Sequence, residues 1–136
     1  AIHSAAGRGL LEECMTLHGC KTGEAKITKG YNLKARHVIH TVGPVYFRYS
    51  PAESEHLLEN CYKNSLEIAR KNECKSLAFP LISAGVYGYP KEEALNVAVN
   101  TIKKYGADMN VVIVLFDDEA WNIAQKNFKD LISQNQ

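Results

Sequence analysis

The sequence predicts an α/β protein with a layered sheet, and two observations carry that reading. Residues 76–82 and 111–116 are nearly continuous apolar runs, the pattern of strands covered on both faces. Each run is followed by a segment of helical periodicity, which makes βα units and places helices on both sides of a sheet. At 136 residues the chain fits one domain spanning 1–136.

The elements follow in order. Residues 1–18 read as helical, broken near Gly7 and Gly9, with Leu10, Leu11, Cys14, Met15 and Leu17 as the apolar face. Residues 20–24 form a loop. A short strand at 25–29 ends at Gly30, and a β-branched strand at 37–42 stops at Gly43-Pro44. Residues 53–72 form a helix with Leu57, Leu58, Cys61, Tyr62, Ser65, Leu66, Ile68 and Ala69 at helical spacing. Pro80 inside the run 76–82 marks an end, a bulge or a missing ladder bond. A glycine-containing loop at 83–90 leads into a helix at 91–105, with Ala94, Leu95, Ala98, Val99 and Ile102 inward. After the strand at 111–116, Asp117 or Asp118 caps a last helix running to about Ile132, with Trp121, Ala124, Phe128 and Leu131 on one face.

Composition narrows the function classes. The 46% hydrophobic and 23% charged content is that of a globular chain and rules out wholesale disorder. No apolar run approaches the ~20 residues of a membrane span, so no membrane role is expected. The 16 basic and 15 acidic residues are interspersed, without the basic stripe of a nucleic-acid binder. The start of the chain does not read as a signal peptide. Cys14, Cys20, Cys61 and Cys74 are therefore read as reduced thiols of a cytoplasmic protein. They lack zinc-finger spacing, so no metal is expected.

Ligands of layered α/β sheets bind at the carboxyl ends of strands, which singles out the loop 83–90 and the segment after Phe116. In Ser83-Ala84-Gly85-Val86-Tyr87-Gly88 the two glycines free the backbone, and successive N–H groups there can cradle a diphosphate; a plain turn is the other reading. Tyr87, between the glycines, can wall a sugar or pack on its own loop. Phe116 can stack on a base or join the core. Asp117-Asp118 can act as acid and base, but capping the helix is the better reading. His37 and His40 share the strand 37–42, with no nucleophile standing out beside them.

Taken together, these segments resemble the macro domain family, and within it the MacroD-like ADP-ribosyl hydrolases. The matching stretches are Ala1-Ile2-His3-Ser4-Ala5-Ala6-Gly7, Leu10-Leu11-Glu12-Glu13-Cys14, residues 20–28, His40-Thr41-Val42-Gly43-Pro44-Val45-Tyr46, residues 78–90 and Phe116-Asp117-Asp118-Glu119, in family order. The resemblance implies a three-layer α/β/α fold with a mixed central sheet that binds ADP-ribose in a cleft. It implies removal of ADP-ribose from modified proteins or deacetylation of O-acetyl-ADP-ribose, with a non-catalytic ADP-ribose reader as the alternative and an inactive remnant as a third reading. By position, Ser83, Ala84, Gly85, Val86, Tyr87 and Gly88 form the diphosphate and ribose loop, Tyr87 flanks the distal ribose as the one catalytic candidate, and Phe116 and Asp117 lie on the adenine side. Ala84 stands where many relatives have Thr. No cofactor is expected. The family's Asn-Ala-Ala-Asn-like motif, its glycine-rich loop and the strands before them have no counterpart here. The expectation is an N-terminally incomplete domain, its inner strand either lost with an upstream region of the chain or supplied by a complementing N-terminal fragment or a partner chain.

Overall fold

A computed structural model describes residues 2–132; Ala1 and residues 133–136, which belong to the readings above, lie outside the described residues. The first helical segment is split at Gly7 (φ 90°) into α1 (Ile2–Ala6) and α2 (Arg8–Thr16). Gly9 does not break it again. Then come β1 (Ala25–Lys29), β2 (His37–Thr41), α3 (Pro51–Lys71), β3 (Ser76–Pro80), α4 (Lys91–Tyr105), β4 (Asn110–Val114) and α5 (Asp118–Asn127). Helix α5 ends earlier than its periodicity suggests, giving way to a 3-10 turn at Lys129–Leu131, and Leu131 is exposed.

Local chemistry sets the helix boundaries. Ser50 caps α3 by accepting the Glu53 N–H at 3.2 Å, with Pro51 in the first turn where its missing N–H costs nothing. Asp117 caps α5 by accepting the Ala120 N–H at 2.8 Å.

The main core is built where α3 and α4 cover β3. Leu58, Tyr62, Leu66, Phe79, Ala94 and Ala98 pack together, and the Tyr62 and Phe79 rings meet edge-on at 4.9 Å. A smaller cluster of Leu95, Val99 and Ala124 joins α4 to α5.

The strands form two pairs. β1 and β2 are antiparallel, β3 and β4 parallel, and no ladder joins β2 to β3 among the described residues. Three layers are present over β1–β2. His40 meets Cys14 of α2 at 3.7 Å, while just past β2 the Val42 carbonyl accepts from the Cys61 thiol of α3 at 3.3 Å. The reading of 76–82 and 111–116 as strands covered on both faces is corrected. Leu77, Phe79, Val111 and Ile113 turn toward the helices, whereas Ala78, Val112 and Val114 are exposed. Helices α3, α4 and α5 cover one face of this pair, and no other described element covers the other. The alternation is real, but apolar residues on both faces hid it in the sequence.

β2 and β3 nevertheless lie side by side and point the same way. At their starts Cys74 Sγ is 3.8 Å from His37 Nδ1. Beyond their ends, a β-carbon on Gly43 would meet Ser83 Oγ and lie 2.6 Å from Ile82 Cγ2. Between them runs a groove of about 1460 Å³, lined by residues 33–41, 72–83 and Ser65.

Candidate functional site

Because β3 and β4 are parallel, the segments that leave them emerge at one edge of the sheet. Lys91, the first residue of α4, links the two. Its Nζ lies 3.3 Å from Asp117 Oδ2 and 2.9 Å from Glu119 Oε1. The loop 83–90 and Phe116-Asp117 therefore lie at the same edge of the sheet.

The loop is launched by Tyr62. Its hydroxyl accepts the Ile82 N–H at 3.0 Å and donates to the Pro80 carbonyl at 3.3 Å. Burial holds the phenol far above its ordinary pKa, so it remains a donor at any physiological pH. Pro80 breaks the strand, and Tyr62 supplies the bonds that replace the ladder. Ser83 then turns into the left-handed region at φ 67°. The Tyr89 N–H closes on the Ser83 carbonyl at 2.9 Å, and the Gly88 N–H on the Gly85 carbonyl at 3.0 Å. From the other side, the Tyr46 N–H holds the Tyr87 carbonyl at 2.9 Å. Tyr89 is buried against Tyr46, with ring centroids 4.8 Å apart, and burial pushes its phenol up to about 12.

These bonds use the carbonyls of Ser83, Gly85 and Tyr87 and leave a run of donors between them unengaged. The N–H groups of Gly85, Val86 and Tyr87 have no partner among the described residues. Three successive free donors at a loop tip are receptive to an anion. The space above Gly85 is open, with nothing within 4 Å of where its β-carbon would be. Ser83 and Ala84 are buried, while Val86 is fully exposed and Tyr87 is 41% exposed. Only backbone and the rim side chains Val86 and Tyr87 therefore face a ligand. One expectation is revised: Gly85 does not take a positive φ, and the left-handed positions are Ser83 and Gly88 (φ 75°). Gly85 serves by leaving space rather than by bending.

Phe116 is 83% exposed, which removes core packing as its role and leaves a ring available at the rim. Asp117 is engaged as the α5 cap, and that hydrogen bond, with the Lys91 ammonium next, holds its carboxyl below the usual carboxylate range. His40 bonds Thr28 at 3.0 Å, and His37 meets Cys74. Neither histidine is bonded to the loop. Burial pushes the Cys20 and Cys61 thiols up, away from thiolate. Among the described residues, no cluster of three or more His, Cys, Asp or Glu could hold a metal ion.

Sequence reasoning missed Tyr62, Phe47 and Lys91 as site builders. Phe47 packs where a β-carbon on Gly88 would come within 3.1 Å of its ring, yet it is 83% exposed. A tyrosine inside the apolar stripe of α3 was the available signal, since a buried hydroxyl needs partners.

Residues 1–98 match the model of the macro domain. The chain belongs to the macro domain family. It is 54% identical to a macro domain-containing protein of Mesorhizobium japonicum, over 88% of this chain and 69% of that protein. It is 43% identical to the human ADP-ribose glycohydrolase MACROD2, over 97% of this chain but only 32% of that protein. Among solved structures, the Oceanobacillus iheyensis macrodomain with ADP superposes with a TM-score of 0.87 at 40% identity, covering 96% of this chain and 73% of that one. The Trypanosoma brucei macrodomain in complex with ADP-ribose gives 0.78 at 39% identity, covering 92% and 53%. The α/β macro domain fold is thus established, and the loop 83–90 lies within the residues that the family model matches.

Proposed function

We propose that this macro domain binds ADP-ribose, with the diphosphate on the free N–H groups of Gly85, Val86 and Tyr87. That row of donors is the observation that carries the reading. Ser83 to Gly88 form the diphosphate and ribose loop, Tyr87 flanks the distal ribose, and Phe116 with Asp117 borders the adenine. The relatives that are solved with ADP or ADP-ribose, or named as ADP-ribose glycohydrolases, support the same ligand. Residues 1–136 act as one domain, and four free thiols fit a cytoplasmic setting.

The reaction we assign is hydrolysis of an ADP-ribosyl linkage on a modified protein, or deacetylation of O-acetyl-ADP-ribose. A water attacks the anomeric or ester carbon while the loop holds the diphosphate, and the gain comes from positioning. A second reading is an ADP-ribose reader, a module that recognises the modification without cleaving it.

Titration calorimetry with ADP-ribose, with AMP and adenosine as controls, tests the binding. Micromolar affinity for ADP-ribose alone is expected; equal affinity for adenosine would remove the diphosphate assignment. Turnover of an ADP-ribosylated peptide then separates hydrolase from reader.

A further inference from the structure

We infer that the exposed ring of Phe47 is an acceptor-side contact, the point where a polypeptide carrying an ADP-ribosyl group packs an apolar side chain against the domain. The inference rests on the ADP-ribose reading above and extends it to what is attached beyond the distal ribose.

The placement follows from the sheet. β4 pairs with β3 on one flank, and β2 lies on the other, its exit at Gly43 packed against Ile82 and Ser83. The loop that leaves β3 is therefore bordered by Phe116-Asp117 on the β4 side and by Tyr46-Phe47 on the β2 side. Lys91 ties the first border to the end of the loop through Asp117 at 3.3 Å, and the Tyr46 N–H on the Tyr87 carbonyl at 2.9 Å ties the second. With the adenine at Phe116 and the diphosphate on the donors of Gly85, Val86 and Tyr87, the distal ribose points to the β2 side. Its anomeric carbon is where a modified side chain is attached. Free ADP-ribose ends there, whereas a conjugate continues over Phe47.

Phe47 is built as an anchor. Its ring occupies the space that the missing β-carbon of Gly88 leaves, since a methyl there would come within 3.1 Å of Phe47 Cε2. Tyr46 meets the ring edge-on at 5.2 Å and is itself packed on Tyr89 at 4.8 Å. The ring is thus oriented from beneath, yet Phe47 is 83% exposed. An aromatic that is already oriented loses little freedom on binding, and such residues carry much of the energy of an interface. Val86 and Tyr87 continue the same apolar rim. Single exposed apolar side chains are ordinary, but three around one ligand loop make a patch. The partner that fits it is an extended peptide with a large apolar residue next to the ADP-ribosylated one.

Titration calorimetry with three ligands tests this. One is ADP-ribose. The other two are synthetic peptides carrying ADP-ribose on a glutamine amide nitrogen, with leucine on both sides of it in one and glycine in the other. This linkage withstands ester hydrolysis, so binding is read without turnover. The readout is the ratio of conjugate affinity to free ADP-ribose affinity. In the wild-type chain the leucine-flanked peptide should bind at least about fivefold tighter than ADP-ribose, and the glycine-flanked peptide about equally. Phe47→Ser should bring the leucine ratio down to about one, and Phe47→Tyr, which keeps a ring, should retain it. Equal wild-type affinities for all three ligands would overturn the inference and leave the ADP-ribose reading intact. So would an unchanged ratio in Phe47→Ser, even with all three affinities lowered together, because the ring would then only support the loop or wall the ribose. No binding of ADP-ribose by the wild-type chain would remove the underlying reading and the inference with it.

Discussion

The two ends of β3 tell different stories. Its carboxyl end is tied from several sides: Tyr62 holds Pro80 and Ile82, Tyr46 holds Tyr87, and Lys91 spans to Asp117. Among the described residues no ladder joins its flank to β2, and the two approach at Cys74 with His37 and at Gly43 with Ile82 and Ser83. The loop that faces a ligand is thus finished by local chemistry, whereas the sheet beneath it is left open. The geometry of the loop is set by a helix tyrosine and by turns rather than by ladder bonds.

Substitutions can break this contrast, and the largest effect is expected at Tyr62. Tyr62→Phe keeps the ring against Phe79 but leaves the buried Ile82 N–H without an acceptor. We expect about 1–3 kcal/mol of destabilisation in denaturant melts, with weaker ADP-ribose binding in the same variant. Gly88→Ala should cost about 1–2 kcal/mol, since the residue sits at φ 75° and the new methyl crowds Phe47. Tyr87→Ala should lower ADP-ribose affinity, and kcat/KM where turnover occurs, while leaving the melt unchanged; unaltered affinity would count against the ribose wall.

On the open flank the expected sign reverses. Ser65→Ala removes a buried hydroxyl without a partner and should be neutral or stabilising by up to about 1 kcal/mol in the chain alone. The smallest effect is at Asp117. Its folded pKa is depressed, so its contribution is present above the unfolded carboxylate value and is lost as pH falls through the lower folded one. NMR titration should find the carboxyl below the usual range, and Asp117→Asn, which keeps the cap oxygen, should flatten that acid limb.

The sequence made much of this legible. The order of helices and strands, the break at Gly7 and the loop 83–88 follow from glycine, proline and apolar spacing. Two things stayed hidden. The bare face of Val112 and Val114 could not be read, because an unbroken run of Val and Ile looks the same whether one face or two are covered. The anchor at Tyr62 was masked by its place in a helical apolar stripe, where only the hydroxyl sets it apart.

Ser83 carries a last consequence. A serine held at φ 67° is a disfavoured conformation that the surrounding bonds of Tyr62 and Tyr89 keep in place. The donors that follow it are therefore aimed before any ligand arrives. Association should be a one-step event, with an encounter rate set by diffusion and access and no slow phase for loop closure. Differences in affinity among ligands should then appear in how long each stays.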